Sequence, residues 1–113
     1  MPEVQRDGVE RVCFRMQLKP ERIADYLKAH EVVWPEMLDA LRETGWRDYS
    51  LFIDRTDGLV VGVLETEDYE RAQAEMARRD VNARWQATMA DYFVGSENPD
   101  SSSRRLEEYF HLA

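Results

Sequence analysis

The sequence predicts an α+β fold in the order strand, helix, strand, strand, helix, strand, with the helices on one face of an antiparallel sheet. Three observations carry this expectation. Residues 11–19 alternate strictly between apolar and polar side chains, residues 20–45 and 69–92 repeat with helical spacing, and two apolar runs flank Asp57-Gly58 as a hairpin requires.

Residues 1–9 are polar and irregular and read as a loose arm, which leaves residues 10–113 as a single domain. In the first strand Val12, Phe14, Met16 and Leu18 share one face, so the strand is half-buried. Pro20 suits the first helical position, where its missing N–H costs nothing, and Gly45 after Thr44 is a natural stop. Pro35 must break or kink this helix near residues 32–34, because its ring clashes with the preceding turn and removes a donor. Such a kink exposes the turn that carries His30.

The second strand spans Arg47–Asp54 and the third Leu59–Thr66, and neither alternates cleanly: Leu51, Phe52 and Ile53 are consecutive. Strands of that kind want both faces covered. Helices cover one face, so a second copy is expected on the other, giving a homodimer packed sheet to sheet. Beyond Asp68 a helical pattern holds Tyr69, Ala72 and Met76, breaks at Arg78-Arg79-Asp80, and resumes through Val81, Trp85, Thr88, Met89 and Tyr92. The run from Gly95 through Ser103 is a loop by composition, and Leu106, Tyr109, Phe110 and Leu112 read as a terminal strand. This order is that of the ferredoxin-like arrangement.

Composition prunes the possible functions. Asp and Glu outnumber Lys and Arg by 23 to 15, for a net charge of −8, and the basic residues are scattered, which disfavours nucleic acid and anionic membrane as partners. No apolar run approaches the roughly 18 residues of a membrane span, and no basic-then-apolar leader opens the chain, so a cytoplasmic protein is expected. Cys13, the single cysteine, allows no internal disulfide and no thiolate cluster, and reads as a small strand side chain.

Tyr26, His30 and Trp34 follow one another at i, i+4, i+8 on a face otherwise made of Ile23, Leu27, Val33, Met37, Leu38 and Leu41. A histidine and a phenol aimed inward form either a buried structural network or a small active site. The two histidines lie far apart without ligand spacing, so no metal is expected; phosphate loop and dinucleotide fingerprint are missing, and Ser50 lacks a nucleophile context. Asp54 and Asp100 read as turn and loop residues, and His111 as structural or interfacial. What survives is cofactor-free acid/base chemistry by a histidine that can hold or release a proton near neutrality.

Several separated segments carry a resemblance: M-Q-L at 16–18, Tyr26 with H-x-x-x-W-P-E-M from His30, D-Y-S-L-F-I-D at 48–54, R-W at 84–85, N-P-D-S-S at 98–102 and Y-F-H-L at 109–112. Together they make residues 12–112 resemble the L-rhamnose mutarotase family. The resemblance implies a ferredoxin-like fold assembled as a dimeric α/β barrel. It also implies an isomerase that interconverts the α and β anomers of a deoxyhexopyranose without a cofactor. It places the catalytic proton donor at His30 and substrate-binding residues at Tyr26, Tyr49, Trp85 and Gln86, the last standing where the family usually has a second tryptophan. Trp34 is expected mainly to pack around the Pro35 kink. An amide in place of an aromatic wall favours a substrate hydroxyl there, so L-fucose or another deoxy or pentose sugar is the alternative substrate. Other classes in small dimeric proteins of this fold are cofactor-free monooxygenases and ligand-binding modules without catalysis.

Overall fold

A computed structural model describes residues 8–95 and 103–113. The strands are β1 (Glu10–Gln17), β2 (Arg47–Asp54), β3 (Leu59–Thr66) and β4 (Arg104–Leu106), and the helices α1 (Ile23–Ala29), α2 (Pro35–Glu43), α3 (Tyr69–Ala77) and α4 (Asp80–Met89). All strand pairs are antiparallel and the sheet order is β2-β3-β1-β4. Each crossover carries two helices, so the architecture is the ferredoxin-like α+β fold with each helix divided. Most of the expected arm, residues 1–7, lies outside the described residues; Gly8 is in a turn and Glu10 opens β1.

In β1 the alternation holds: Val12 and Phe14 are buried on the inner face, across from Leu64 and Gly62 of β3. Leu18, just beyond the strand, is fully buried and bridges to Phe93. That bridge, with Lys19 N–H donating to the Tyr92 carbonyl at 2.8 Å, returns the chain after α4 to the end of β1. The core fills the layer between inner sheet face and helices, joining Leu18 and Val60 to Tyr26, Met37, Met76, Val81, Trp85 and Met89.

Pro35 does more than kink a helix. It occupies the first turn of α2, after a non-helical stretch in residues 30–34, so one expected helix is two. Tyr26 lies in α1 and His30 caps its end, whereas Trp34 precedes α2 and is off their helical stripe. Pro20 begins a short 3₁₀ turn, Pro20–Arg22, that leads into α1. Gly45 ends the second piece with φ 96°, a conformation that favours glycine after a helix. In the second crossover Asp68 caps α3 by accepting from Arg71 N–H at 3.1 Å, and Glu10 accepts from Tyr69 N–H at 2.7 Å, tying α3 to β1. The break falls at Arg78 and Arg79, with Asp80 as the first residue of α4.

A register shift lies between Arg47 and Ser50, where two residues, Asp48 and Tyr49, occupy the space opposite Leu64 alone. Asp48 has φ 48°, the left-handed conformation that aspartate tolerates better than most residues. The extra residue reverses the alternation, so Tyr49 joins Phe14 and Leu51 on the inner face while Phe52 points outward and is 60% exposed. Beside them Gly62 leaves room for Phe14, whose ring would overlap any Cβ added there.

The terminal strand is shorter than expected. Only Arg104–Leu106 pairs with β1, and Tyr109, Phe110 and Leu112 leave the sheet and stand exposed, Tyr109 at 94%. A three-residue edge satisfies few backbone groups, and among the described residues nothing packs over the three apolar side chains that follow. The N-P-D-S-S segment and Asp100 lie outside the described residues.

Candidate active site

Between the inner sheet face and the helices lies a cavity of about 540 Å³, within the range of small-molecule sites. His30, Tyr26, Tyr49, Trp85 and Gln86 all line it. They arrive from three places: Tyr26 and His30 from the end of α1, Tyr49 from the bulge in β2, and Trp85 and Gln86 from one face of α4.

The helical spacing of Tyr26 and His30 brings their rings to 4.4 Å between centroids. Tyr26 is 4% exposed and is clamped edge-on by Phe93 at 5.6 Å and Tyr92 at 6.2 Å. Burial raises its phenol from 10.0 to about 12, so it keeps its proton throughout the neutral range. Burial also pushes His30 below its ordinary value, and the bond to the Tyr26 carbonyl opposes that shift only in part. His30 is therefore neutral at pH 7. Its Nδ1 lies 3.2 Å from that carbonyl oxygen, which can only accept, so Nδ1 carries the proton and Nε2 carries the lone pair. The ring-orienting partner is thus the histidine's own helix turn.

Trp85 stands edge-on to His30 at 5.4 Å and fixes the second side of the imidazole. Trp34 does not line the cavity; it packs edge-on behind Trp85 at 5.0 Å, with the Arg84 guanidinium 5.8 Å above its own ring. Gln86 donates through Nε2 to Asn82 Oδ1 at 3.1 Å. The opposite end of the cavity is aromatic: Trp46 lies 5.1 Å from Tyr49 and 5.8 Å from Tyr69.

Asp54 accepts from Thr56 N–H at 2.9 Å inside the hairpin turn, and His111 sits on the exposed tail 3.6 Å from Glu108; neither lines the cavity. Among the described residues no three His, Cys, Asp or Glu side chains gather as a metal centre requires, and no helix is long and apolar enough to cross a membrane. Sequence reasoning did not single out Asn82, Trp46 or Tyr69 as cavity residues. Asn82 offered one signal, a polar side chain four residues before Gln86 on an otherwise apolar helix face.

Fold and site define a class: a ferredoxin-like α+β protein with a largely apolar cavity, between sheet and helices, that holds a neutral histidine. The L-rhamnose mutarotase model matches residues 11–112, and the chain belongs to that family. An L-rhamnose mutarotase from Acidiphilium cryptum is 38% identical over 106 residues, covering 92% of this chain and 99% of the relative. A solved L-rhamnose mutarotase from Formosa agariphila superposes with a TM-score of 0.76 at 29% identity, covering 92% of this chain and 99% of that one. A solved antibiotic biosynthesis monooxygenase shares the fold alone, with a TM-score of 0.58 at 17% identity over 89% of this chain and 98% of its own. Family membership makes this chain an isomerase of the mutarotase kind.

Proposed function

We propose that the protein interconverts the α and β anomers of L-rhamnose by opening and reclosing the pyranose ring, with His30 as the catalytic residue and no cofactor. The observation that carries the roles is the neutral His30, its Nδ1 tied to the Tyr26 carbonyl, on the wall of the cavity. Nε2 takes the proton from the anomeric hydroxyl. As the C1–O5 bond breaks, the O1 electrons form the aldehyde and the bonding pair goes to O5, which receives the proton back from Nε2. Rotation about C1–C2 presents the other carbonyl face, and the reverse steps close the ring with the opposite anomer. One histidine serves both proton transfers, so the site needs no second titrating group. Tyr26, Tyr49 and Gln86 orient the sugar hydroxyls, and Trp85 offers a flat apolar face to the C–H side of the ring.

We further assign residues 10–113 to one domain and the functional unit to a homodimer in the cytoplasm. The dimer rests on the outward apolar side chains of the sheet, Phe52 above all, with Leu106 and the exposed tail beside them. The lone Cys13 suits a reducing compartment. Exchange NMR on L-rhamnose tests the function: anomer exchange above the rate in buffer is expected. Exchange at the buffer rate, or oxygen uptake with an aromatic substrate, overturns it in favour of a binding or oxygenase role.

A further inference from the structure

Two segments singled out in the sequence keep residues that the proposed reaction does not use: Trp34 and Glu36 in H-x-x-x-W-P-E-M, and Arg84 in R-W. In the fold they form a single row that ends on His30. The His30 ring packs edge-on with Trp85 at 5.4 Å, Trp85 packs edge-on with Trp34 at 5.0 Å, and the Arg84 guanidinium lies 5.8 Å from the centre of the Trp34 ring. Arg84 is held in turn from both helices. Its Nε donates to Asp80 Oδ2 of α4 at 2.9 Å, and its Nη2 stands 3.7 Å from Glu36 Oε1 of α2. Residues of the two segments therefore alternate along the row, each held by one from the opposite element.

His30 needs such support because of where it sits in the chain. It caps the C-terminal end of α1, and the stretch beyond it is non-helical, with Glu31 exposed and Val32 75% exposed. Helix ends are the least restrained part of a helix. The Tyr26 carbonyl holds Nδ1 at 3.2 Å and leaves the rest of the ring to its neighbours. In an unbroken helix His30 and Trp34 would stand one turn apart on the same face. With the helix divided before Pro35, Trp85 packs against both rings and so joins the two ends of the loop between them. Trp85 is buried and lines the cavity, whereas Trp34 is half-buried and stands behind it, away from any ligand.

Resting on the mutarotase reading for the reaction, we infer that Trp34 is a positioning residue for His30. Packed against Trp85 and steadied by Arg84, it holds the imidazole in the orientation that pairs Nδ1 with the Tyr26 carbonyl and leaves Nε2 for the substrate. Trp34 acts only through Trp85, and Arg84 only through Trp34. Exposed ion pairs contribute little to stability, so the part of Arg84 is orientation rather than folding.

The test reads the histidine itself as well as the rate. The chain has two histidines, His30 and His111, so imidazole nitrogen NMR spectra of the full chain are assigned once His111→Gln removes one set of signals. Wild-type His30 is expected as a single Nδ1–H tautomer at neutral pH. Trp34→Leu is expected to mix the Nδ1–H and Nε2–H forms and to lower kcat for L-rhamnose exchange about two- to tenfold, the worth of one aromatic pair, with a smaller change in KM. Trp34→Phe, which keeps an aromatic ring against Trp85, restores both readouts. Arg84→Met replaces an exposed side chain, moves both readouts the same way by less, and supplies the reading should Trp34→Leu not fold. A role confined to packing would lower the urea midpoint and leave the His30 signals and kcat of the folded variants as they were. Unchanged His30 signals and kcat in the folded variants, or a rise in KM alone, overturn the inference and leave the mutarotase function standing. Wild-type exchange of L-rhamnose at the buffer rate overturns that function, and the tautomer spectra then decide the positioning of His30 by themselves.

Discussion

His30 and Tyr26 are neighbours because one helical turn separates them, and the same turn supplies the carbonyl that fixes the histidine tautomer. Burial of the pair sets both protonation states in the neutral range: imidazole without a second proton, phenol with its own. A pH dependence follows, with a definite sign. His30 titrates below its ordinary 6.5 in the folded protein, so kcat/KM for L-rhamnose exchange should fall only as pH drops through that lowered value and stay flat across neutrality. Stability moves the same way. The contribution of His30 is fully present above 6.5, the unfolded value, and is lost as pH falls through the folded one. A pH profile of exchange, with denaturation midpoints along it, checks both; a midpoint of the rate profile above 6.5 would contradict the neutral, tautomer-locked imidazole. The residue pair was legible in the sequence because i, i+4 spacing survives any helix. The role of Trp34 was legible as packing, but its place on the stripe was not: Pro35 ends the helical path between them, and rings that look aligned on a helical wheel separate once residues 30–34 leave the helix.

At the scale of elements, the bulge in β2 decides where Tyr49 points. Counting by twos from Arg47 puts Tyr49 on the outer face; one extra residue at Asp48 puts it in the cavity. No composition signal marks a bulge built on an aspartate, which is why Tyr49 could be placed by resemblance and not by alternation. Valine at position 48 meets the full penalty of the left-handed conformation, so Asp48→Val should cost about 1–2 kcal/mol of stability. Glycine relieves that penalty, and Asp48→Gly should leave stability within about 1 kcal/mol of the wild type. Equilibrium urea unfolding of the two variants decides it, and equal losses in both would remove the bulge from the account. The paired helices of each crossover were better signalled, by Pro35 in one and the charged Arg78-Arg79-Asp80 in the other. The terminal strand was overextended because apolar residues at the end of the chain look alike whether they enter their own sheet or stand outside it.

For the whole molecule, one sheet face is buried under helices and the other carries apolar side chains into solvent, with Phe52 at 60% exposure. Among the described residues nothing of this chain covers Tyr109, Phe110 and Leu112. The homodimer proposed above would cover both surfaces. Phe52→Asp, on the face remote from His30, should convert the assembly from twice the mass of one chain to once, as read by light scattering after size exclusion. A wild-type protein that runs as a single chain would contradict the dimer. The consecutive apolar residues of β2 announced this second surface in the sequence, since a strand with one wet face does not need Leu51, Phe52 and Ile53 in a row.

In the proposed mechanism His30 moves the proton in the anomer exchange of L-rhamnose. Its most direct test is the exchange rate measured by saturation-transfer NMR for the wild type and for His30→Ala, with circular dichroism showing that both are folded. Acceleration by the wild type is expected, with a loss of about 10²- to 10⁴-fold of that acceleration in the variant, the range of positioned acid/base catalysis. A folded His30→Ala protein that exchanges the anomers as fast as the wild type would contradict it.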